Sequence, residues 1–179
     1  PSMSNKQNLL YLFDKMEHDR QAMLSKIKDQ DYELLERKPN PDTWSVSENF
    51  MHMVVAEGGA LKYMRKKIEV SNHSLCARRT LQYGLLIGAL RAPMLKFKAP
   101  KIVADVGSGV KYSDALKQWN EIRAELRKDY ENIDEDWIMH DLFKHPVAGK
   151  FDLIRAVKFM RLHADRHIKQ VYRTIKLLE

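Results

Sequence analysis

The sequence predicts an all-α protein, a four-helix bundle that forms one domain over residues 1–179. Four long segments carry apolar residues at helical spacing, whereas no run of strand length alternates with a period of two. A chain of 179 residues with 44% hydrophobic residues is long enough to bury one core. We interpret Pro1 and Ser2, which precede Met3, as the remnant of an expression tag.

The first two helices are predicted over residues 6–29 and 45–70. Prolines at 39 and 41 separate them, because proline lacks the amide hydrogen that a continuing helix needs. Ser45 and Glu48 have the spacing of a capping box, so the second helix starts at this serine. The apolar stripe of the first helix consists of Leu9, Phe13, Met16, Met23 and Ile27.

The middle of the chain predicts a helix over residues 75–95 followed by a long loop over 96–111. Gly84 and Gly88 stand four residues apart, a spacing that either permits close helix contact or weakens the helix. Pro93 ends or kinks this helix. A loop of such length is uncommon without a functional or oligomeric reason.

The last two helices are predicted over residues 113–132 and 151–178, with a loop at 134–150 between them. Ser113 is the predicted N-cap of the earlier helix, since its hydroxyl can accept a hydrogen bond from a free amide of the first turn. The loop carries no hairpin signal, so we expect a bundle with no functional sheet.

The final helix carries the chemically most informative motif, His163-Ala-Asp-Arg-His167. Histidines at i and i+4 share one helix face and can hold two positions on one metal ion. His52, in the second helix, is the best candidate for a third ligand, provided that these helices are neighbours in the bundle. The alternative is that His163 and His167 are partly exposed helix residues that bind nothing.

Three segments together resemble the DinB-like superfamily, and within it the group of metal-dependent hydrolases typified by the YfiT protein. They are the Trp-Ser opening of the second helix with its histidine at 44–52, the His-Pro-Val-Ala-Gly-Lys segment at 145–150, and the histidine pair with Ile-Lys-Gln at 163–170. The resemblance implies a four-helix bundle that forms a homodimer and binds a divalent metal through His52, His163 and His167. Zinc and nickel both suit imidazole ligands.

The same resemblance implies an enzyme that acts on a small-molecule substrate. Relatives with known activity include thiol S-transferases that use a low-molecular-weight thiol such as bacillithiol, mycothiol or glutathione, and this reaction is narrowly preferred here. Metal-dependent hydrolysis uses the same ligands and stays open, as does a non-enzymatic dimeric stress-response protein. Fold alone does not select among these functions.

Several other side chains have a structural and a chemical interpretation. Glu48, Glu57 and Asp165 lie near the histidines in sequence, but helix capping and surface exposure explain carboxylates more simply than a general base does. His145 is a surface loop residue or lines the mouth of the site. The tryptophans are interpreted as core or rim packing: Trp44, Trp119 and Trp137.

Composition narrows the classes of partner and compartment. The net charge of +7 comes from scattered lysines and arginines without interleaved aromatic residues, so nucleic-acid binding is not expected. No apolar run is long enough to span a membrane, and no signal peptide is recognised. Cys76 is the only cysteine, which excludes an internal disulfide and fits a cytoplasmic protein.

Overall fold

Six α-helices and one short β-hairpin make up the part of the chain that the computed structural model describes, residues 2–77, 80–92 and 109–179. In chain order the elements are α1 Asn5–Ile27, α2 Tyr32–Glu36, α3 Val46–Glu69, α4 Thr80–Arg91, α5 Tyr112–Asn132, a 3-10 turn Glu135–Trp137, β1 Phe143–His145, β2 Gly149–Phe151 and α6 Leu153–Leu178. The four long helices form the bundle: α3 packs on α5 and α1 on α6, while α1 also contacts α5 and α3 also contacts α6. The predicted all-α fold is confirmed.

Apolar faces of the four long helices meet in the core of the bundle. The predicted stripe of α1 is buried along its whole length, at no more than 2% exposure. From α3 and α5, Phe50 and Trp119 meet with ring centroids 4.9 Å apart. Removing these surfaces from water is the main force that holds the helices together.

The start of α3 follows the predicted capping box. The Ser45 hydroxyl accepts a hydrogen bond from the Glu48 amide at 3.0 Å, and the Glu48 carboxylate accepts one from the Ser45 amide at 2.8 Å. Both groups are buried. This reciprocal cap fixes where α3 begins. It therefore also fixes the direction in which Asn49 and His52, in the first two turns, face within the bundle.

The start of α5 differs from the prediction. Ser113 lies inside the helix, and the N-cap is Lys111, which makes no capping hydrogen bond with its side chain. The capping hydrogen bond comes instead from Glu36, at the end of α2. Its carboxylate accepts a hydrogen bond from the Tyr112 amide at 2.9 Å and pairs with Lys111 at 3.0 Å. A carboxylate at a helix N-terminus interacts favourably with the helix dipole. Because Glu36 is distant in sequence, a local motif could not reveal this cap.

A small β-hairpin occupies part of the predicted loop at 134–150, where the sequence carried no hairpin signal. Strands β1 and β2 pair antiparallel with Phe143 opposite Phe151 and His145 opposite Gly149. Gly149 has a φ of 84°, a backbone conformation that residues other than glycine rarely adopt. The strands have three residues each, too few for an alternating pattern to be recognised. Consequently the last helix begins at Leu153, behind an Asp152 N-cap, two residues later than predicted.

Helix α4 covers only part of the predicted helix at 75–95. Pro93 and most of the predicted loop, residues 96–108, lie outside the described residues. A Cβ added at Gly84 or Gly88 would meet no described atom within 4 Å, so these glycines make no close helix contact within that part of the chain. Among the described residues, no helix is both long enough and apolar enough to span a bilayer.

Candidate metal centre

Three imidazoles converge between α3 and α6. His52 lies in the second turn of α3, and His163 and His167 lie one turn apart in α6. Their ring centroids are separated by 4.6 to 5.2 Å, and one nitrogen from each ring lies within 4.8 Å of the other two. The predicted meeting of these histidines is therefore present in the fold, and among the described residues they form the only such group. Their role as metal ligands stays a prediction.

The spacing of the nitrogens fits a shared ion. The Nε2 atoms of His52 and His163 are 3.2 Å apart. Two imidazole nitrogens bound to one zinc at about 2.1 Å, with a ligand–metal–ligand angle of 90–110°, stand about 3.0–3.4 Å apart. Three imidazoles are also the donor set of catalytic zinc sites, which keep one position open. The residues present therefore fit a divalent ion.

The histidines of α6 are held in the neutral state that metal binding requires. Burial lowers the pKa of His163 to about 3, and charge on His52, on His145 and on the Arg166 guanidinium acts in the same direction. The pKa of His167 is lowered well below its usual range by burial first, and then by the neighbouring imidazoles and Arg166. At neutral pH both rings offer a lone pair without first losing a proton.

A buried carboxamide, which the sequence did not single out, contacts the site from α3. The Nδ1 atom of His167 lies 3.0 Å from Oδ1 of Asn49. The amide Nδ2 of Asn49 donates to the Ser45 carbonyl at 2.8 Å, and the side chain is fully buried. The one available signal was position, because Asn49 precedes His52 by three residues and so shares its helix face.

Aromatic rings form the walls of the site. Trp44 is half-buried, with its ring centroid 5.0 Å from His52 and 6.1 Å from His167, on which it stacks. Its backbone carbonyl accepts a hydrogen bond from the Thr174 hydroxyl at 3.1 Å. Phe159 stacks on His163 with centroids 5.7 Å apart. Trp44 thus packs against two of the three imidazoles.

His145 lies one ring beyond the cluster, at the end of β1. Its imidazole is edge-on to Phe159 at 4.9 Å, and Phe159 in turn stacks on His163. Its Nδ1 atom accepts hydrogen bonds from the amides of Val147 at 3.2 Å and Ala148 at 3.0 Å, which stabilises the hairpin turn. Burial lowers the pKa of His145. This residue is half-buried and has a structural role in the turn.

The three carboxylates considered as bases are engaged elsewhere. Glu48 caps α3, and Asp165 pairs with Lys169 on the surface of α6. The interpretation of Glu57 as a surface carboxylate is wrong, because it is 1% exposed and binds Arg123 through both oxygens, at 2.6 and 2.8 Å. Buried charges in proteins are paired in this way, since an isolated one is strongly destabilising.

The remaining predicted candidates lie outside the three-histidine group. Trp119 is buried in the core, and its indole nitrogen donates to Glu57 at 3.1 Å. Trp137 packs edge-on against His73, whose Nδ1 lies 2.7 Å from that of His140. This second histidine contact joins the segment after α3 to the segment before β1, and no spacing along the sequence predicted it.

A shallow cleft of about 280 Å³ is present elsewhere, between α1, α2 and α5. None of the three histidines lines it; its residues are Gln21, Leu24, Lys28, Tyr32, Tyr112, Leu116 and Asn120. The nitrogens of the three imidazoles converge on one point, whereas the cleft is open and its lining residues form no such cluster.

Four long helices form the bundle, and three imidazoles that could hold a metal ion face each other between two of them. The sequence profile of the DinB superfamily matches residues 15–171, and the chain belongs to this superfamily. Comparisons with curated proteins and with solved structures gave no match. The resemblance is therefore confirmed at the level of the superfamily, while the YfiT-type group stays a prediction.

Proposed function

We propose that this protein is a divalent-metal-dependent enzyme, with His52, His163 and His167 as the ligands. The observation that supports the proposal is the convergence of three imidazoles at the spacing of a shared ion. Three protein ligands leave at least one position open, whereas a structural zinc normally has four. The site therefore favours catalysis over a purely structural role.

Thiol S-transfer with a low-molecular-weight thiol is the preferred reaction, and it rests on the family resemblance. An ion held by three neutral imidazoles lowers the pKa of a thiol or a water in its open position. Burial keeps the imidazoles of His163 and His167 neutral, and the rings of Phe159 and Trp44 stack on them. Hydrolysis would use the same groups, so a screen of thiol transfer to electrophiles against ester and amide hydrolysis distinguishes the two reactions.

The metal assignment is tested by metal content in protein purified without a nickel column. We expect one zinc or nickel per chain in the wild type, and none bound stoichiometrically in His163→Ala or His167→Ala. An added ion at a hundred times its dissociation constant should stabilise the wild type by about 2.7 kcal/mol. His18→Ala is the matched control, since His18 is exposed on α1.

Two outcomes would contradict the assignment. A His163→Ala/His167→Ala double variant that keeps one tightly bound metal per chain would show that the ligands lie elsewhere. A wild type that takes up no metal and shows no stabilisation by added zinc or nickel would favour the non-enzymatic alternative.

A homodimer is part of the same proposal. Leu81 and Leu85 of α4, both strongly exposed, are four residues apart and provide an apolar strip for a second copy. Light scattering at micromolar concentration should show a dimer. A monomer under these conditions would remove the dimer from the proposal without affecting the metal site.

A further inference from the structure

Asn49 connects the start of α3 to one of the histidines of α6. Its carboxamide is fully buried, with Nδ2 2.8 Å from the Ser45 carbonyl and Oδ1 3.0 Å from Nδ1 of His167. The backbone amide of Asn49 donates to the same carbonyl at 3.1 Å. Both donors are thus directed towards the first turn of the helix, which the capping box fixes.

The hydrogen bonds determine which way round the carboxamide lies. A carbonyl oxygen only accepts, so the Asn49 atom that faces Ser45 is the NH₂ group and the atom that faces His167 is the oxygen. The Nδ1 atom of His167 must then carry the hydrogen of this bond. In a neutral imidazole this leaves the lone pair on Nε2.

We propose that Asn49 is a positioning residue for the metal centre: it holds His167 as the Nδ1–H tautomer, so that Nε2 is the ligand atom. The positioning role rests on the proposed function, because it presupposes a bound metal. The tautomer itself is a property of the metal-free protein. A partner on the second ring nitrogen fixes both the tautomer and the orientation of a metal-binding histidine, and its loss typically costs 10–100-fold in metal affinity.

Three variants separate positioning from stability. Asn49→Leu removes the acceptor for His167 and the donor to Ser45, whereas Asn49→Asp keeps an acceptor and loses only the donor. Asn132→Leu is the matched control, because Asn132 of α5 donates to the carbonyl four residues earlier, at 2.7 Å, without a histidine partner. A role confined to the helix start predicts similar effects for both Asn49 variants.

Metal affinity is measured by competition between zinc and a chelator. We expect Asn49→Leu to bind zinc 10–100-fold more weakly than the wild type. Asn49→Asp should bind within a few-fold of the wild type, even though its buried carboxylate faces a carbonyl oxygen and makes it the less stable of the two variants. Asn132→Leu should bind as the wild type does. An equal loss of affinity in both Asn49 variants, or none in either, would overturn the positioning role.

The tautomer is measured by nitrogen-15 NMR of the imidazoles in the metal-free protein. We expect the Nδ1–H form of His167 in the wild type and in Asn49→Asp, and a substantial population of the Nε2–H form in Asn49→Leu. An Nε2–H form in the wild type would overturn the inference. If zinc fails to bind the wild type while the tautomer is as expected, the proposed metal-dependent function fails, but the contact between Asn49 and His167 stands.

Discussion

Acid should destabilise the metal-free protein through His163. The pKa of this imidazole is about 3 in the folded protein and 6.5 when the side chain is unperturbed, so the unfolded chain binds the proton more readily. The stabilisation by neutral His163 is complete above pH 6.5 and is lost as the pH falls towards 3. Each pH unit in this interval lowers the free energy of unfolding by about 1.4 kcal/mol. Between pH 6.5 and 5 the loss from His163 is therefore about 2 kcal/mol.

The measurement is urea denaturation followed by circular dichroism at pH 7 and pH 5, with a chelator present to keep the protein free of metal. The wild type should lose stability over this interval, and His163→Gln should lose about 2 kcal/mol less because it lacks the titrating group. His18→Gln is the matched control, because it replaces a histidine that is exposed on α1. Equal losses in the wild type and His163→Gln would refute the argument that burial keeps this imidazole neutral.

Two further predictions concern the core and the nucleophile. Arg123→Met should lower the free energy of unfolding by about 3–5 kcal/mol in urea denaturation, because Glu57 is left buried without its bidentate partner. A double variant with Glu57→Leu should recover much of this loss, and a single variant as stable as the wild type would contradict the role of the pair. Cys76→Ser should leave activity nearly intact whereas His52→Ala should abolish it, because burial raises the pKa of the Cys76 thiol and disfavours its thiolate. Activity that is lost in Cys76→Ser but is unaffected by His52→Ala and by chelators would indicate ordinary cysteine chemistry.

Local patterns in the sequence were sufficient to predict the four long helices and part of the site. The capping-box spacing of Ser45 and Glu48 predicted the start of α3. The cap is present in the structure because its two partners are only three residues apart. His163 and His167 share a face of α6 for the same kind of reason, since the helix period alone places residues i and i+4 together. Apolar residues at this period became the buried face of each long helix.

Contacts between distant segments were decided by the tertiary structure. His52 and His163 are 111 residues apart in the chain, and their meeting depends on α3 being a neighbour of α6. The family resemblance supported that meeting, but it gave no indication that Glu36 caps α5 or that Glu57 is buried against Arg123. Such pairs join residues on separate elements, so no spacing along the sequence reports them.

By itself, then, the sequence determined the helical class, the faces that are buried and the identity of the three histidines. The packing of α3 against α6 decided that their nitrogens converge, that burial keeps the two imidazoles of α6 neutral, and that Asn49 lies beside His167. The physical reason is that helix periodicity is a property of neighbouring residues, whereas distance, burial and hydrogen-bond partners at a site depend on which helix faces are brought together when the core closes.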